Sequence, residues 1–259
     1  MRGNQVNRAE QCTNFNFLVP KYYELFKNSK LPIDPSPFLI SLQNFMVSSD
    51  KPYFRYNEQQ DAADVLQVLL NEFTVHSLLS HIANFQLSKR TTCNNCHSDY
   101  LTEEPGNILQ LNASSTIQSS LHKFLESEQL TDENRYFCYN CSSLQSREIK
   151  YNITSTSPFL IIQVKRFIFQ GNMASKDLTL IKNSTPLSVP IVDREEVSVN
   201  KVYQLCAVIN HSGTVNRGHY WSNVKHKDSW YHCNDKAVVM CNSSVINSRN
   251  SYIFFYQAV

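Results

Sequence analysis

A chain of 259 residues with 42% hydrophobic and 12% aromatic content can bury a substantial core, and one or two domains is the expectation for that length. A net charge of +2 with 18% charged residues creates no overall field that would select nucleic acid or an anionic membrane. The opening Met1-Arg2-Gly3-Asn4-Gln5 has no apolar stretch, and nothing later approaches the roughly 18 uninterrupted apolar residues of a membrane span, so the cytosol or nucleus is the expected location.

In chain order, the first strong signal is a helix over 57–75. Asn57 with Gln60 three residues on reads as a cap, Glu58 and Asp61 occupy the first turn, and Ala62, Leu66, Leu69 and Phe73 repeat at helical spacing. Segments 82–92, 98–111 and 143–156 have the mixed apolar and polar character of strands. Between them a second helix is expected from Ser115, with Gln118 in the capping position and Ile117, Leu121, Phe124 and Leu125 as its buried stripe. Past Pro158, the run Phe159-Leu160-Ile161-Ile162-Gln163-Val164 reads as a strand buried on both faces, and 203–210, 219–224, 230–233 and 252–256 continue the sheet. Residues 170–200, polar and poorly periodic, read as a long connection. A helical beginning followed by a strand-rich remainder makes the class α+β.

Eight cysteines in a reducing compartment are expected as thiols or metal ligands rather than disulfides. Cys93-Asn94-Asn95-Cys96 and Cys138-Tyr139-Asn140-Cys141 are two C-x-x-C knuckles, each able to offer two thiolates to one edge of a tetrahedral zinc. A redox C-x-x-C would not need a twin. A site closed by four cysteines has no open position, so this zinc is expected to be structural. Cys12, Cys206, Cys233 and Cys241 are scattered, and Cys206 and Cys233 read as small core residues.

The chemistry-bearing stretch lies near the C-terminus. Gly218-His219-Tyr220-Trp221 is followed by Trp230-Tyr231-His232-Cys233-Asn234-Asp235, a histidine at a strand start with an Asn-Asp pair behind an aromatic strand. These are the residue types of the base-and-orienter half of a Cys-His-Asn hydrolase. His232 reads as structural.

The segment Gln59-Gln60-Asp61-Ala62-Ala63-Asp64-Val65-Leu66 comes first, followed by the two knuckles. Pro158-Phe159-Leu160 then leads into Val164-Lys165-Arg166-Phe167, and the Gly218-His219-Tyr220 box follows with its Asn234-Asp235 partner. In that order, over residues 50–259, the chain resembles the ubiquitin-specific proteases, a family of cysteine peptidases. The resemblance implies a papain-like thumb-palm-fingers fold, with a single catalytic domain over 1–259. Its thumb part, helical, is 1–80, the zinc-tipped fingers are 81–156 and the palm is 157–259.

It also implies ubiquitin as partner, its body gripped by the fingers and its tail led through the thumb-palm cleft. A monomer is expected, with neither nucleic acid nor membrane bound. His219 matches the catalytic base, Asn234 the residue that orients it, and Asp235 an adjacent acid that assists orientation or the oxyanion region. Asp61 matches a tail-binding acid, and Asp64 one turn on can present a second carboxylate to the tail's arginines. Asp61 equally reads as a first-turn acid complementing the helix dipole. Gln60 either caps the helix or faces the cleft, and His211 matches a loop at the cleft rim.

The family's nucleophile box, Gly-Asn-x-Cys-Tyr, is absent. Cys12, within Glu10-Gln11-Cys12-Thr13-Asn14-Phe15, lacks the preceding Gly-Asn pair. The expected function is therefore a deubiquitinase hydrolysing the thioester or isopeptide bond after ubiquitin's terminal glycine, with the nucleophile supplied upstream of this chain. The alternative is a non-catalytic ubiquitin-binding module of the same fold. A zinc-ribbon nucleic-acid binder ranks last, because Lys89, Arg90 and Arg135 near the knuckles stand amid Glu103, Glu104, Asp132 and Glu133.

Overall fold

The structure, a computed structural model, describes residues 24, 28, 33–48, 59–75, 82–171, 173–183, 186–193, 197–215 and 217–259. Cys12 and Asn57 lie outside the described residues. The chain divides into two compact units, Met1–Ser80 and His81–Val259.

The first unit contains helices α1 (Ser36–Ser48) and α2 (Ala62–Val75). Leu42 and Met46 of α1 and Val68 of α2 form a small buried cluster, with Phe38, Phe45, Val65 and Leu69 packed on it. The helix expected from Asn57 starts at Ala62 instead, and Asp61 is its cap. The Asp61 carboxylate accepts from the Ala63 N–H at 2.7 Å, and its carbonyl accepts from Val65 N–H at 3.1 Å. Gln59 and Gln60 precede the helix and carry no regular secondary structure. Ala63 and Val68, rather than Ala62 and Leu66, are the buried positions. A helix this rich in Leu and Val is apolar on several faces, and packing on α1 selects one of them.

The second unit runs in order β1 (Phe85–Cys93), β2 (Asp99–Gly106), β3 (Ile108–Asn112), α3 (Ile117–Leu125), β4 (Glu128–Leu130), β5 (Tyr136–Cys138), β6 (Ser143–Gln145), β7 (Arg147–Thr156), β8 (Phe159–Lys165), β9 (Phe167–Gln170), β10 (Met173–Lys176), β11 (Leu187–Val192), β12 (Ser198–Gly213), β13 (Gly218–His226), β14 (Ser229–Asn234), β15 (Ala237–Cys241) and β16 (Ser251–Ala258). A 12-stranded sheet follows the path β15-β14-β13-β12-β11-β7-β1-β2; β16 joins β12 to β8, β8 pairs with β3, and β4 lies beside β7. The 16 residues of β12 let its first part pair with β11 and its second part with both β13 and β16.

The core gathers Leu109, Leu111, Ile117, Leu121, Ile153, Ile162, Val164, Val189 and Phe254 around Tyr203. Tyr203 keeps its buried hydroxyl satisfied, donating toward Thr156 Oγ1 and the Ser157 carbonyl, both at 2.7 Å. As expected, Leu160, Ile161, Ile162 and Val164 are all buried, and β8 is also paired on both edges, with β3 parallel and β16 antiparallel. Among the described residues no helix is long and apolar enough to cross a membrane.

Three expectations change in detail. The cap of α3 is Thr116, not Ser115: its side chain accepts from the Ser119 N–H, and the Ser119 hydroxyl accepts from the Thr116 N–H. Gln118 is left to grip β11 through both ends of its amide, donating to the Ser188 carbonyl at 2.9 Å and accepting from its N–H at 2.8 Å. Residues 170–200 are not a bare connection, because they hold β10 and β11. In β11 the period-2 burial of Leu187 and Val189 is masked in the sequence by Pro190 and polar neighbours. The expected strand 98–111 breaks into β2 and β3 after Gly106, where a Cβ would run into the Phe85 ring.

Arg166 ties these elements together. It is 0% exposed, and its Nε donates to the Ser251 carbonyl at 2.6 Å while Nη1 donates to the carbonyls of Asp177 at 2.8 Å and Thr179 at 3.1 Å. Burial lowers the guanidinium pKa, opposed by the charge of Asp177. Replacement by Met would strand three carbonyls, so Arg166→Met is expected to cost about 3 kcal/mol or more in urea unfolding. Arg166→Lys should restore only part of this, because one ammonium cannot span both segments.

Candidate active site

Strand β13 begins at Gly218 and pairs with β12 so that His211 faces Tyr220 and Ser212 faces His219. Only glycine fits at 218, since a Cβ there would meet the Ser212 carbonyl oxygen and the His211 ring. This fixes where β13 starts and therefore where the next side chain stands. His219 is exposed, with Nε2 2.6 Å from Oδ1 of Asn234, the last residue of β14. An amide oxygen can only accept, so the hydrogen is assigned to Nε2, and the neutral ring keeps its lone pair on Nδ1. Asp235 follows in the turn to β15 at φ 49°, exposed, in a left-handed conformation that Asp tolerates.

His211 departs from expectation. It lies within β12 rather than in a rim loop and is 2% exposed. Its ring packs on Phe167 at 5.6 Å and Tyr220 at 4.5 Å between centroids. Lys176 Nζ lies 3.2 Å from its Nδ1 and 2.5 Å from its carbonyl oxygen. An ammonium can only donate, so Nδ1 accepts and the ring hydrogen sits on Nε2. Burial, followed by the charge of Arg166, lowers the Lys176 pKa. Sequence reasoning missed Lys176, because 35 residues separate the pair and no local pattern connects them.

Asp61 and Asp64 belong to the first unit, one capping α2 and the other exposed in its first turn. The seven described cysteines are all free thiols, and among the described residues no cysteine hydrogen-bonds His219. Cys206, half-buried rather than fully in the core, donates to the Phe255 carbonyl at 3.1 Å.

The two knuckles meet at the tips of the β1–β2 and β5–β6 hairpins. The four Sγ atoms lie within 4.8 Å of one another, with Cys93–Cys141 at 4.0 Å and Cys96–Cys138 at 3.7 Å. Zinc–sulfur bonds of about 2.3 Å in a tetrahedron put sulfurs about 3.8 Å apart, so the cluster fits a structural zinc. His97 at φ 57° and Ser142 at φ 50° turn the chain just after the second cysteine of each knuckle.

The surroundings of the sulfurs are reciprocal. Asn95 of the first knuckle donates its amide to Cys141 Sγ at 3.3 Å, and the Asn140 side chain of the second hydrogen-bonds Cys96. Hydrogen bonds from Ser98 first and then from Asn140 hold the Cys96 thiol down to about 5. Such bonds spread the charge that four thiolates bring to one ion. Beside the β5–β6 hairpin an open cavity of about 750 Å³ is lined by Lys89, Tyr100, Tyr136, Phe137, Tyr139 and Arg147, among others.

A paired His and Asn at the end of a large sheet, with a four-cysteine cluster on projecting hairpins, defines a protein of the ubiquitin-specific protease fold. Among solved structures its fold is similar to that of the SAGA Ubp8/Sgf11/Sus1/Sgf73 DUB module bound to ubiquitin aldehyde, with a TM-score of 0.74 and 20% identity over 96% of this chain and 65% of that one. The family model described as ubiquitin carboxyl-terminal hydrolase matches residues 2–256, and the chain belongs to that family. It is 28% identical over 224 residues to human ubiquitin carboxyl-terminal hydrolase 42, covering 79% of this chain and 17% of that protein. It is 27% identical over 228 residues to ubiquitin carboxyl-terminal hydrolase 25 of Arabidopsis thaliana, covering 79% of this chain and 34% of that protein. The chain thus spans at most about a third of the length of these two relatives.

Asn95→Ala and Asn140→Ala are each expected to speed zinc loss to a competing chelator by about 10- to 100-fold, read by a colorimetric zinc indicator. Complete removal of the metal should melt the β5–β6 hairpin first, seen as loss of amide protection there while β8 and β16 stay protected.

Proposed function

We propose that this chain carries the base and its orienting residue of a thiol-dependent ubiquitin hydrolase acting on the bond after ubiquitin's C-terminal glycine. The observation that carries the reading is the 2.6 Å contact between His219 Nε2 and Asn234 Oδ1. With Nε2–H held by Asn234, Nδ1 of His219 would take the proton from a cysteine thiol and later give it to the leaving amine. Asn234 needs no charge for this, because the thiolate itself balances the imidazolium. Asp235, on the turn just past Asn234, is the acid closest in sequence and would assist at the oxyanion side. Asp61 and Asp64 would meet the arginines of the ubiquitin tail, and the finger hairpins its body. His211, buried, would shape the floor beneath Gly218 rather than touch the tail. The nucleophile lies outside the described residues: Cys12 or, favoured by the missing box, a cysteine on a preceding segment. The second reading, a ubiquitin-binding module without turnover, rests on that same missing box.

His219→Ala is expected to lower hydrolysis of a ubiquitin C-terminal fluorophore roughly 100-fold or more while leaving ubiquitin binding intact, and Asn234→Ala to lower it less. Reaction of the 259-residue chain with ubiquitin bearing a thiol-reactive C-terminal group, read by intact mass, locates the thiol. An adduct lost in Cys12→Ser would make Cys12 the nucleophile. Binding without an adduct would support the binding module or a thiol carried upstream, and neither adduct nor binding would overturn both readings.

A further inference from the structure

We propose that Trp221 is a positioning residue for His219, buttressed in turn by His232 and Asn223. The proposal deepens the catalytic reading above and rests on His219 being the base. Side chains alternate along β13, so His219, Trp221 and Asn223 share one face of the sheet. β14 places His232 directly across from Asn223 and brings Asn234 to the same face.

Along that face the groups form a continuous column. Asn223, 1% exposed, donates Nδ2 toward the Val245 carbonyl at 3.4 Å, and its Oδ1 lies 3.0 Å from His232 Nδ1. Its Oδ1 can only accept, so Nδ1 of His232 carries the hydrogen and the ring orientation is set from the core. The His232 ring lies 6.5 Å from Trp221, and Trp221 lies 6.2 Å from His219 with the two ring planes only 21° apart. The column therefore runs from a buried amide to an exposed imidazole.

That exposed end needs support. His219 is tied at one nitrogen, and a hydrogen bond open to water is weak because solvent competes for both partners. An indole face nearly parallel to the imidazole blocks rotation to that side and keeps water off one face of the Nε2–H···Oδ1 contact. Trp221 acts on His219 and not on the substrate. His232 is thus structural in a specific sense, because it stops Trp221 from leaning away.

The test follows the His219 Nε2–H by long-range proton–nitrogen NMR of the 259-residue chain, assigned by its loss in His219→Ala. Trp221→Ala is expected to speed its exchange with water by roughly 2- to 10-fold, the range over which one exposed hydrogen bond protects a proton, and to mix the two tautomers. Trp221→Phe, which keeps an aromatic face, should restore the wild-type signal. Trp221→Leu keeps apolar bulk without a ring face and should behave as Trp221→Ala, which serves if the alanine variant unfolds. An unchanged signal in a folded Trp221→Ala or Trp221→Leu protein would overturn the proposal. The readout needs no turnover, so a Trp221 effect on the His219 proton stands whether or not this chain hydrolyses ubiquitin, and the failure of the catalytic reading is distinguished from the failure of this one.

Discussion

Everything at the candidate centre depends on the register of β12, β13 and β14. Side chains alternate faces along a strand, so a slip of one residue would turn His219 and Asn234 to opposite sides of the sheet. Three contacts hold the register. Gly218 fits against the Ser212 carbonyl and the His211 ring, where no larger residue could stand. Lys176 grips His211 at both ring and carbonyl from the neighbouring hairpin. Arg166 fixes Ser251, the first residue of β16, and β16 pairs with β12 up to Asn210, next to His211. Two cations in and near the core are unusual unless their donors are used. Here the ammonium, with Nε and Nη1 of the guanidinium, donates to backbone carbonyls and one imidazole, while Nη2 of Arg166 is buried without a partner.

The finger hairpins follow a different logic. β5 and β6 have three residues each, and Tyr136, Phe137, Tyr139 and Leu144 are all at least half exposed. Such a hairpin cannot bury enough apolar surface to hold itself. The inward-facing Cys93 and Cys138 are 0% and 1% exposed, so the cluster stands where a core would otherwise be. Metal ligation there would be folding free energy for the fingers and immaterial to the palm core.

Legibility in the sequence followed the range of the interactions. The knuckles, the β8 core strand and the His219–Asn234 pair were readable because each is a local pattern. The cap at Asp61 is ambiguous in sequence because Asn57, Gln60 and Asp61 all fit capping rules locally, and only the helix start at Ala62 singles out Asp61. Gln118 fits a capping position by local spacing, whereas its partner, Ser188, is 70 residues away. β15 was missed because Ala237, Val238, Val239 and Met240 are all exposed and show no alternation. The resemblance alone puts His211, in Asn210-His211-Ser212-Gly213, at a rim loop, and no local pattern marks the strand that holds it. The cross-strand Gly218 contact and Lys176 hold it in a strand instead.

The hydrogen bond between His219 and Asn234 also restricts how a thiol could complete the site. Nε2 is engaged, so proton uptake by the neutral ring falls to Nδ1, and a useful sulfur has to approach from that side. Cys233 is adjacent to Asn234 in sequence, but successive residues of β14 point to opposite faces, which sets its sulfur on the wrong side of the sheet. Cys241 pairs across from Trp230, at the far end of that strand from Asn234. The remaining described thiols are committed to the knuckles or, for Cys206, to the Phe255 carbonyl. Among the described residues no cysteine is thus placed to reach Nδ1 of His219, independently of the missing sequence box, so under the proposed reading the thiol has to be brought there by another part of the protein.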